Sequence, residues 1–250
     1  MSTPDVRPGH FVPVTMNLPT PPMLVRSIKL DMYLPKTEYI YGTDFNLAAS
    51  AMLEAMTDRA KIPTGWWAEN NGKAFTLPYD SKARLQRALV RSEEIDDGSV
   101  YPYHAKREVS ISDKFILNKE NGLFLGLFLA EGNVDIKSGY TQITNNDTNI
   151  RAFVTEWFAK QSIKTSEDIK MNAIGGVSAC VRGFSTVFAS FLTKLVGHGA
   201  ANKFVPAEAF VAPEEFIVGL LNGYFSGDGT VSENSVEVGS ASAKLIDGIS

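Results

Sequence analysis

The feature that most constrains this sequence is a repeat. The run GLFLGLFLAEGNV aligns with IVGLLNGYFSGDGTV when Glu131-Gly132 is laid on Asp228-Gly229, an offset of 97 residues. Downstream, ITNNDTNIRAF resembles VGSASAKLIDG: a strand, a small-polar turn, then a helix. Self-similarity at such a period means one supersecondary unit used twice. Each copy is an apolar, glycine-bearing helix that ends in an acid followed by Gly. Gly126 and Gly223 each stand five residues before that acid. Glycine inside a helix costs about 1 kcal/mol relative to Ala. Two in matched places imply close approach of two helix backbones. Helices packed side by side by pseudo-twofold symmetry would bring Glu131 and Asp228 together.

Two carboxylates at one interface repel unless something positive sits between them. Hard divalent cations such as Mg²⁺ prefer carboxylate oxygens and engage phosphate. The chemistry that fits is metal-assisted in-line hydrolysis of a phosphodiester. Either acid alone would read as an ordinary helix terminus before a Gly cap. The matched repeat is what favours the site.

The two runs resemble the paired motifs of LAGLIDADG (DOD-type) homing endonucleases. The first motif is Phe124-Leu125-Gly126-Leu127-Phe128-Leu129-Ala130-Glu131-Gly132, and the second is Leu221-Asn222-Gly223-Tyr224-Phe225-Ser226-Gly227-Asp228-Gly229. Asn222 and Ser226 are polar departures, while the Gly and the acid of each copy are intact. The resemblance implies an α+β fold with an αββαββα repeat, whose motif helices meet at the pseudo-dimer interface. It implies Mg²⁺ or another divalent cation on Glu131 and Asp228, and double-stranded DNA as substrate. Asn202-Lys203-Phe204-Val205-Pro206 resembles the Lys-x-x-Pro block of intein-borne endonucleases, which points to Lys203 as a third catalytic group. An ammonium there could stabilise charge developing on phosphate; a solvated surface lysine is the plainer reading.

In this family the strands after each motif face the DNA. Alternation across NVDIKSGYTQIT places either Asn133, Asp135 and Lys137 or the opposite set on one face. Asn133, Lys137, Tyr140, Gln142, Thr144 and, in the second copy, Thr230 are the candidate DNA contacts. Asn and Gln suit adenine, and Lys suits guanine or phosphate.

The resemblance divides the chain into residues 1–112, 113–211 and 212–250. Residues 1–112 are a small mixed α/β region, similar to the segment joining the first splicing block of certain inteins to their endonuclease. FVPVTMNLP, LPKTEYIYG and FTLPY carry that impression. Helices are expected over 43–59 and 81–90, with a hairpin at Asn71-Gly72. The first half-domain holds 99 residues and the second 39, so the second copy is expected to be incomplete. The sequence opens Met1-Ser2 and closes Ile249-Ser250 without a splice junction, so self-splicing is not expected. Further helices are expected at 148–160, at 184–196, and from Ala212-Pro213-Glu214-Glu215 with Pro at the first helical position.

Composition narrows the remaining choices. Charged residues make up 21% and apolar residues 44%, which excludes a disordered chain. The longest apolar run, 122–130, is nine residues and too short to span a bilayer, so no membrane partner is expected. The single cysteine, Cys180, cannot form an internal disulfide and fits an intracellular setting. Lys+Arg is 24 against Asp+Glu 28, so no bulk basic footprint announces nucleic acid. His10, His104 and His198 make no ligand pattern, and Trp66-Trp67 reads as core. Arg84, Arg87 and Arg91 read as a solvated helix face.

Three readings follow. One is a site-specific, intein-associated homing endonuclease, of which this chain is an inactive fragment or a half completed by self-association, with a host protein around it. The second is a non-catalytic DNA- or RNA-binding relative, a regulator or maturase. The third is an unrelated protein with two glycine-bearing core helices held far apart.

Overall fold

The computed structural model describes residues 23–34, 39–41, 99–102, 111–171, 176–231 and 236–250. The helices expected over 43–59 and 81–90, the Asn71-Gly72 hairpin, Trp66-Trp67, the face of Arg84, Arg87 and Arg91, His10 and His104 lie outside the described residues.

Short strands come first: β1 (Ser27–Lys29), β2 (Tyr39–Tyr41), β3 (Ser99–Pro102), β4 (Ile111–Ser112) and β5 (Lys114–Ile116). β1 pairs antiparallel with β5, Ile28 opposite Phe115, and β2, β3 and β4 form a second small sheet. The repeat unit follows as α1 (Lys119–Glu131), β6 (Gly132–Asp135), β7 (Tyr140–Thr144), α2 (Thr148–Lys160), β8 (Lys164–Met171), β9 (Val177–Phe184) and α3 (Thr186–Val196). This is the αββαββα order implied by the resemblance. Two 3₁₀ turns, Ala200–Asn202 and Ala207–Val211, lead into the second pass. That pass runs α4 (Glu214–Asp228), β10 (Gly229–Val231), β11 (Val236–Val238) and α5 (Ala243–Ile249). The fold is α+β, and both motifs are helices that stop at their acid.

Local chemistry sets most of these boundaries. Asn118 caps α1 by accepting from Asn121 N at 2.9 Å, and Asp147 caps α2 by accepting from Asn149 N at 2.7 Å. Ser185 caps α3, its Oγ accepting from Phe188 N at 3.2 Å. The helix expected from Phe184 therefore begins two residues later. Phe184 remains in β9, paired with Tyr140 and Lys164. Pro213 is the N-cap of α4 rather than its first helical residue, because its ψ of 144° is extended. Between β6 and β7, Asp135 holds the turn by accepting from the Ser138 amide and hydroxyl, and Gly139 takes a φ of +68°.

The four strands β6-β7-β9-β8 form one antiparallel sheet. Val134, Thr141, Ile143, Ala179 and Val181 are buried on the face toward the helices. A strand that buries alternate residues leaves the others on the opposite face. α1 is apolar all round because it is enclosed on every side. Phe124 stacks on Trp157 with centroids 3.6 Å apart. The indole of Trp157 donates to Asn121 Oδ1 at 2.8 Å, and Asn121 Nδ2 donates to Ile116 O at 2.7 Å. A buried amide is thus satisfied on both ends. Ile28, Leu30, Leu34 and Ile111 join the same core. Tyr33 donates to Glu208, and Val25 N donates to Val211 O at 2.8 Å, tying this early segment to the connector before α4.

The other side of α1 meets α4 backbone to backbone. A Cβ on Gly122 would sit 2.2 Å from Phe216 O, and one on Gly126 would sit 2.0 Å from Leu220 O. Reciprocally, a Cβ on Gly219 would sit 2.2 Å from Lys119 O, and one on Gly223 would sit 2.2 Å from Leu123 O. All four obstructions are main-chain atoms, which cannot yield without moving a helix. The expected outcome is therefore the reverse of helix propensity. Gly126→Ala and Gly223→Ala should each destabilise by about 2 kcal/mol or more, through overpacking. Gly239→Ala, with nothing within 4 Å of the new methyl, should stay within about 0.5 kcal/mol. Urea midpoints of the three variants check this; a more stable Gly126→Ala would refute the backbone contact.

Candidate metal centre and nucleic-acid face

The glycine contact continues to the ends of both helices. A Cβ on Gly227 would fall 2.4 Å from the Ala130 Cβ and 3.2 Å from the Glu131 Cγ. Glu131 and Asp228 therefore share one end of the helix pair, each half-buried. Burial raises the carboxyl pKa of both. The neighbouring Asp228 charge raises that of Glu131 further, and Lys203 opposes the rise at both acids.

Lys203 reaches this end from the connector after α3. The main chain there is held by Phe204 N donating to Val196 O at 3.0 Å. The side chain is 5% exposed, so it is not a solvated surface lysine. Its Nζ donates to Phe128 O at 2.8 Å and to Leu129 O at 2.9 Å. Those carbonyls belong to the last turn of α1, where a cation is favoured; Phe128 O also accepts from Gly132 N. Burial pushes the lysine down to about 8, against the pull of Asp228 and then Glu131. A buried ammonium and two half-buried carboxylates make a compact cluster in which no charge is fully solvated.

This donor set fits a hard divalent cation. Two carboxylates converge, their charged forms are disfavoured by burial and by each other, and a cation between them would relieve both effects. Among the described residues no group of three or more His, Cys, Asp or Glu side chains comes together, so the pair is their acidic contribution to this site. His198 is an exposed loop residue.

The structure orients the strand candidates. Asn133 and Asp135 lie on the face opposite buried Val134, and Tyr140, Gln142 and Thr144 lie opposite buried Thr141 and Ile143. Register across the sheet aligns Asn133, Gln142, Arg182 and Ser166 in one row on this outer face. Lys137 is exposed in the β6–β7 turn, and Thr230 is exposed on β10, outside the four-stranded sheet. Arg182 was not among the sequence candidates, although alternation beside Val181 would have placed it on this face. Its Nε donates to Gln142 Oε1 at 2.7 Å, its Nη2 lies 3.4 Å from Asp168 Oδ2, and its guanidinium sits 5.4 Å from the Tyr140 ring centroid. Gln142 Nε2 donates to Thr144 Oγ1 at 3.0 Å, which carries the bonding along β7. A half-buried Arg fixed on three sides is pre-organised for directional bonds. Cys180, buried as expected, also lies on this outer side of β9.

Against this geometry, a family model described as a LAGLIDADG-like domain matches residues 215–250, from α4 through α5. The equivalent helix of the first pass, α1, lies outside the matched residues but is tied to α4 by the repeat and by the glycine contact. The chain is also similar to DNA-directed RNA polymerase subunit Rpo1C of Methanocaldococcus jannaschii, 33% identical over 142 residues. That match covers 56% of this chain and 16% of the subunit. A second relative is ATP-dependent DNA helicase Hel308 of Thermococcus kodakarensis, 32% identical over 128 residues, 48% of this chain and 11% of the helicase. The chain thus spans less than a fifth of the length of these curated relatives. Among the described residues no helix is long and apolar enough to cross a membrane.

The buried lysine gives a pH signature. Between about 8, its value in the folded protein, and its ordinary value near 10.4, the unfolded chain binds more protons at this position than the folded one. Stability contributed through Lys203 should therefore rise with pH across that window. Lys203→Met removes this slope, and the difference between the two denaturation-versus-pH curves measures it. A wild-type curve parallel to that of the variant would mean the ammonium is solvated.

Proposed function

We propose that this chain is the DNA-cleaving module of an intein-associated, LAGLIDADG-type homing endonuclease. The observation that carries the reading is the convergence of Glu131 and Asp228 at one end of a backbone-tight helix pair, beside a buried lysine. In this reading Glu131 and Asp228 hold Mg²⁺. The ion would supply a water of lowered pKa and positive charge toward the phosphate being attacked. The acids also orient the attacking water, each from a fixed helix end. Lys203 neutralises part of their charge and holds the last turn of α1 against them.

The outer face of the sheet would receive the duplex. Arg182, Lys164, Lys170 and the turn residue Lys137 outweigh Asp135 and Asp168 there, despite the acidic balance of the whole chain. Arg182 and Gln142 are the side chains suited to base edges, guanine for the first and adenine for the second. Asn133, Tyr140, Thr144 and Thr230 would add contacts to phosphate, sugar or base. The comparisons support the intein-borne form. A polymerase subunit and a helicase have different tasks, yet each matches this chain over a minor part of its own length. A module carried by different host proteins would produce that pattern.

Duplex DNA selected from a randomised library by binding to this chain supplies the substrate for a test. Glu131→Gln and Asp228→Asn should each lower Mg²⁺-dependent cleavage about a hundredfold or more while leaving binding in place. Glu131→Gln should also be at least as stable as wild type at neutral pH, since the folded protein disfavours that carboxylate. Wild-type cleavage by Glu131→Gln rules out the assigned centre. Selective binding without nicking by the wild type favours the non-catalytic relative instead. Arg182→Ala should weaken binding by about tenfold to a hundredfold at one selected base pair. Uniform weakening across sequences would make it a phosphate contact.

A further inference from the structure

The last helix of the chain lies against the segment that delivers Lys203. Ser242, 2% exposed, caps α5 by accepting from Leu245 N at 3.3 Å. The same hydroxyl donates to Lys203 O at 2.6 Å. One buried oxygen thus serves as an acceptor for its own helix and as a donor to the main chain of the lysine. A second grip lies at the other end of α5. A Cβ on Gly248 would stand 2.8 Å from Val205 Cγ2, so the helix closes on Val205 because that glycine has no side chain. Between the two grips Leu245 is 1% exposed in the core. The main chain from Lys203 to Val205 is therefore clamped along the length of α5. On its far side, Phe204 N is bonded to Val196 O at 3.0 Å.

We propose that Ser242 is a positioning residue for the candidate centre, acting through the Lys203 main chain so that its Nζ meets the Phe128 and Leu129 carbonyls beside Glu131. The path is short and continuous. Ser242 fixes the Lys203 carbonyl, the lysine side chain fixes the last turn of α1, and that turn ends in Glu131. Through it the αββα of the second pass supports the acid of the first. The inference rests on the endonuclease reading only for its kinetic consequence; the clamp itself has an independent readout.

The test separates the cap from the clamp. Ser242→Asp keeps a strong N-cap acceptor but has no proton to donate to Lys203 O. Ser242→Thr keeps both functions, and Ser242→Ala keeps neither. The full chain of each form is treated with N-acetoxysuccinimide, and acetylation at Lys203 is followed by peptide mass spectrometry against exposed Lys164 and Lys170. Lys203 should label slowly in wild type and Ser242→Thr. In Ser242→Asp and Ser242→Ala it should label about tenfold faster, as expected for loss of one buried hydrogen bond. Ser242→Asp puts a carboxylate at a 2% exposed site against Lys203 O, so its melting temperature should fall below wild type, and labelling is compared well below the melting temperature of each form. On selected DNA with Mg²⁺, Ser242→Asp should lower kcat about tenfold with KM unchanged. Slow labelling of Lys203 in Ser242→Asp overturns the clamp. Faster labelling with an unchanged kcat overturns the positioning role. Faster labelling in a chain whose wild type cleaves nothing supports the clamp and counts against the endonuclease reading alone.

Discussion

The structure depends on two helix backbones touching. Gly122 and Gly126 of α1 face main-chain atoms of α4, and Gly219 and Gly223 of α4 face main-chain atoms of α1. Ordinary helices stand 8–10 Å apart because side chains keep them there. Without those side chains the pair closes, and its two C-terminal ends are brought to the same place. The same closeness leaves little freedom for Glu131 and Asp228 to relax apart. A centre built from one acid per helix needs that rigidity.

Charge at that end is held in an uneasy balance. The acids are half-buried and the lysine is almost fully buried. Burial disfavours the charge of each; Lys203 partly restores both acids and they partly restore it, while Asp228 further disfavours the Glu131 carboxylate. Such perturbed clusters are expensive as pure structure and are common at functional sites. The α1 terminus gains acceptor satisfaction from Lys203 at the same time, so one side chain serves stability and electrostatics together. The second pass of the repeat supports this arrangement through Ser242 and Gly248, although it contributes only one of the two acids.

The sheet answers a different requirement. Its inner face packs on α1, α2 and α3, and its outer face carries a polar row from Asn133 to Ser166, in which Arg182 is bonded to Gln142 and to neighbouring Asp168. A polar face with its side chains already tied in position can read a ligand without first losing their freedom. Local positive charge on this face offsets an acidic chain average, a local asymmetry that overall composition does not show.

The sequence by itself determined the repeat, the two motif helices, the acids at their ends, and which strand residues alternate. These are short-range properties: period, glycine placement and caps such as Asp147 are written in consecutive residues. The two interface glycines named from sequence, Gly126 and Gly223, were legible because they match across the copies; Gly122 and Gly219 match at the same offset and could have been found in the same way. The start of α3 was misplaced because Phe184 suits either helix or strand, and long-range pairing with Tyr140 and Lys164 decided it. Only the tertiary structure decided that Lys203 is buried and caps α1, that Ser242 holds Lys203, and that Arg182 sits between Gln142, Asp168 and Tyr140. Those contacts join residues 14 to 75 positions apart. No local pattern distinguishes a lysine bound for a helix terminus from one left in water; the choice rests on which surfaces the packed core brings together.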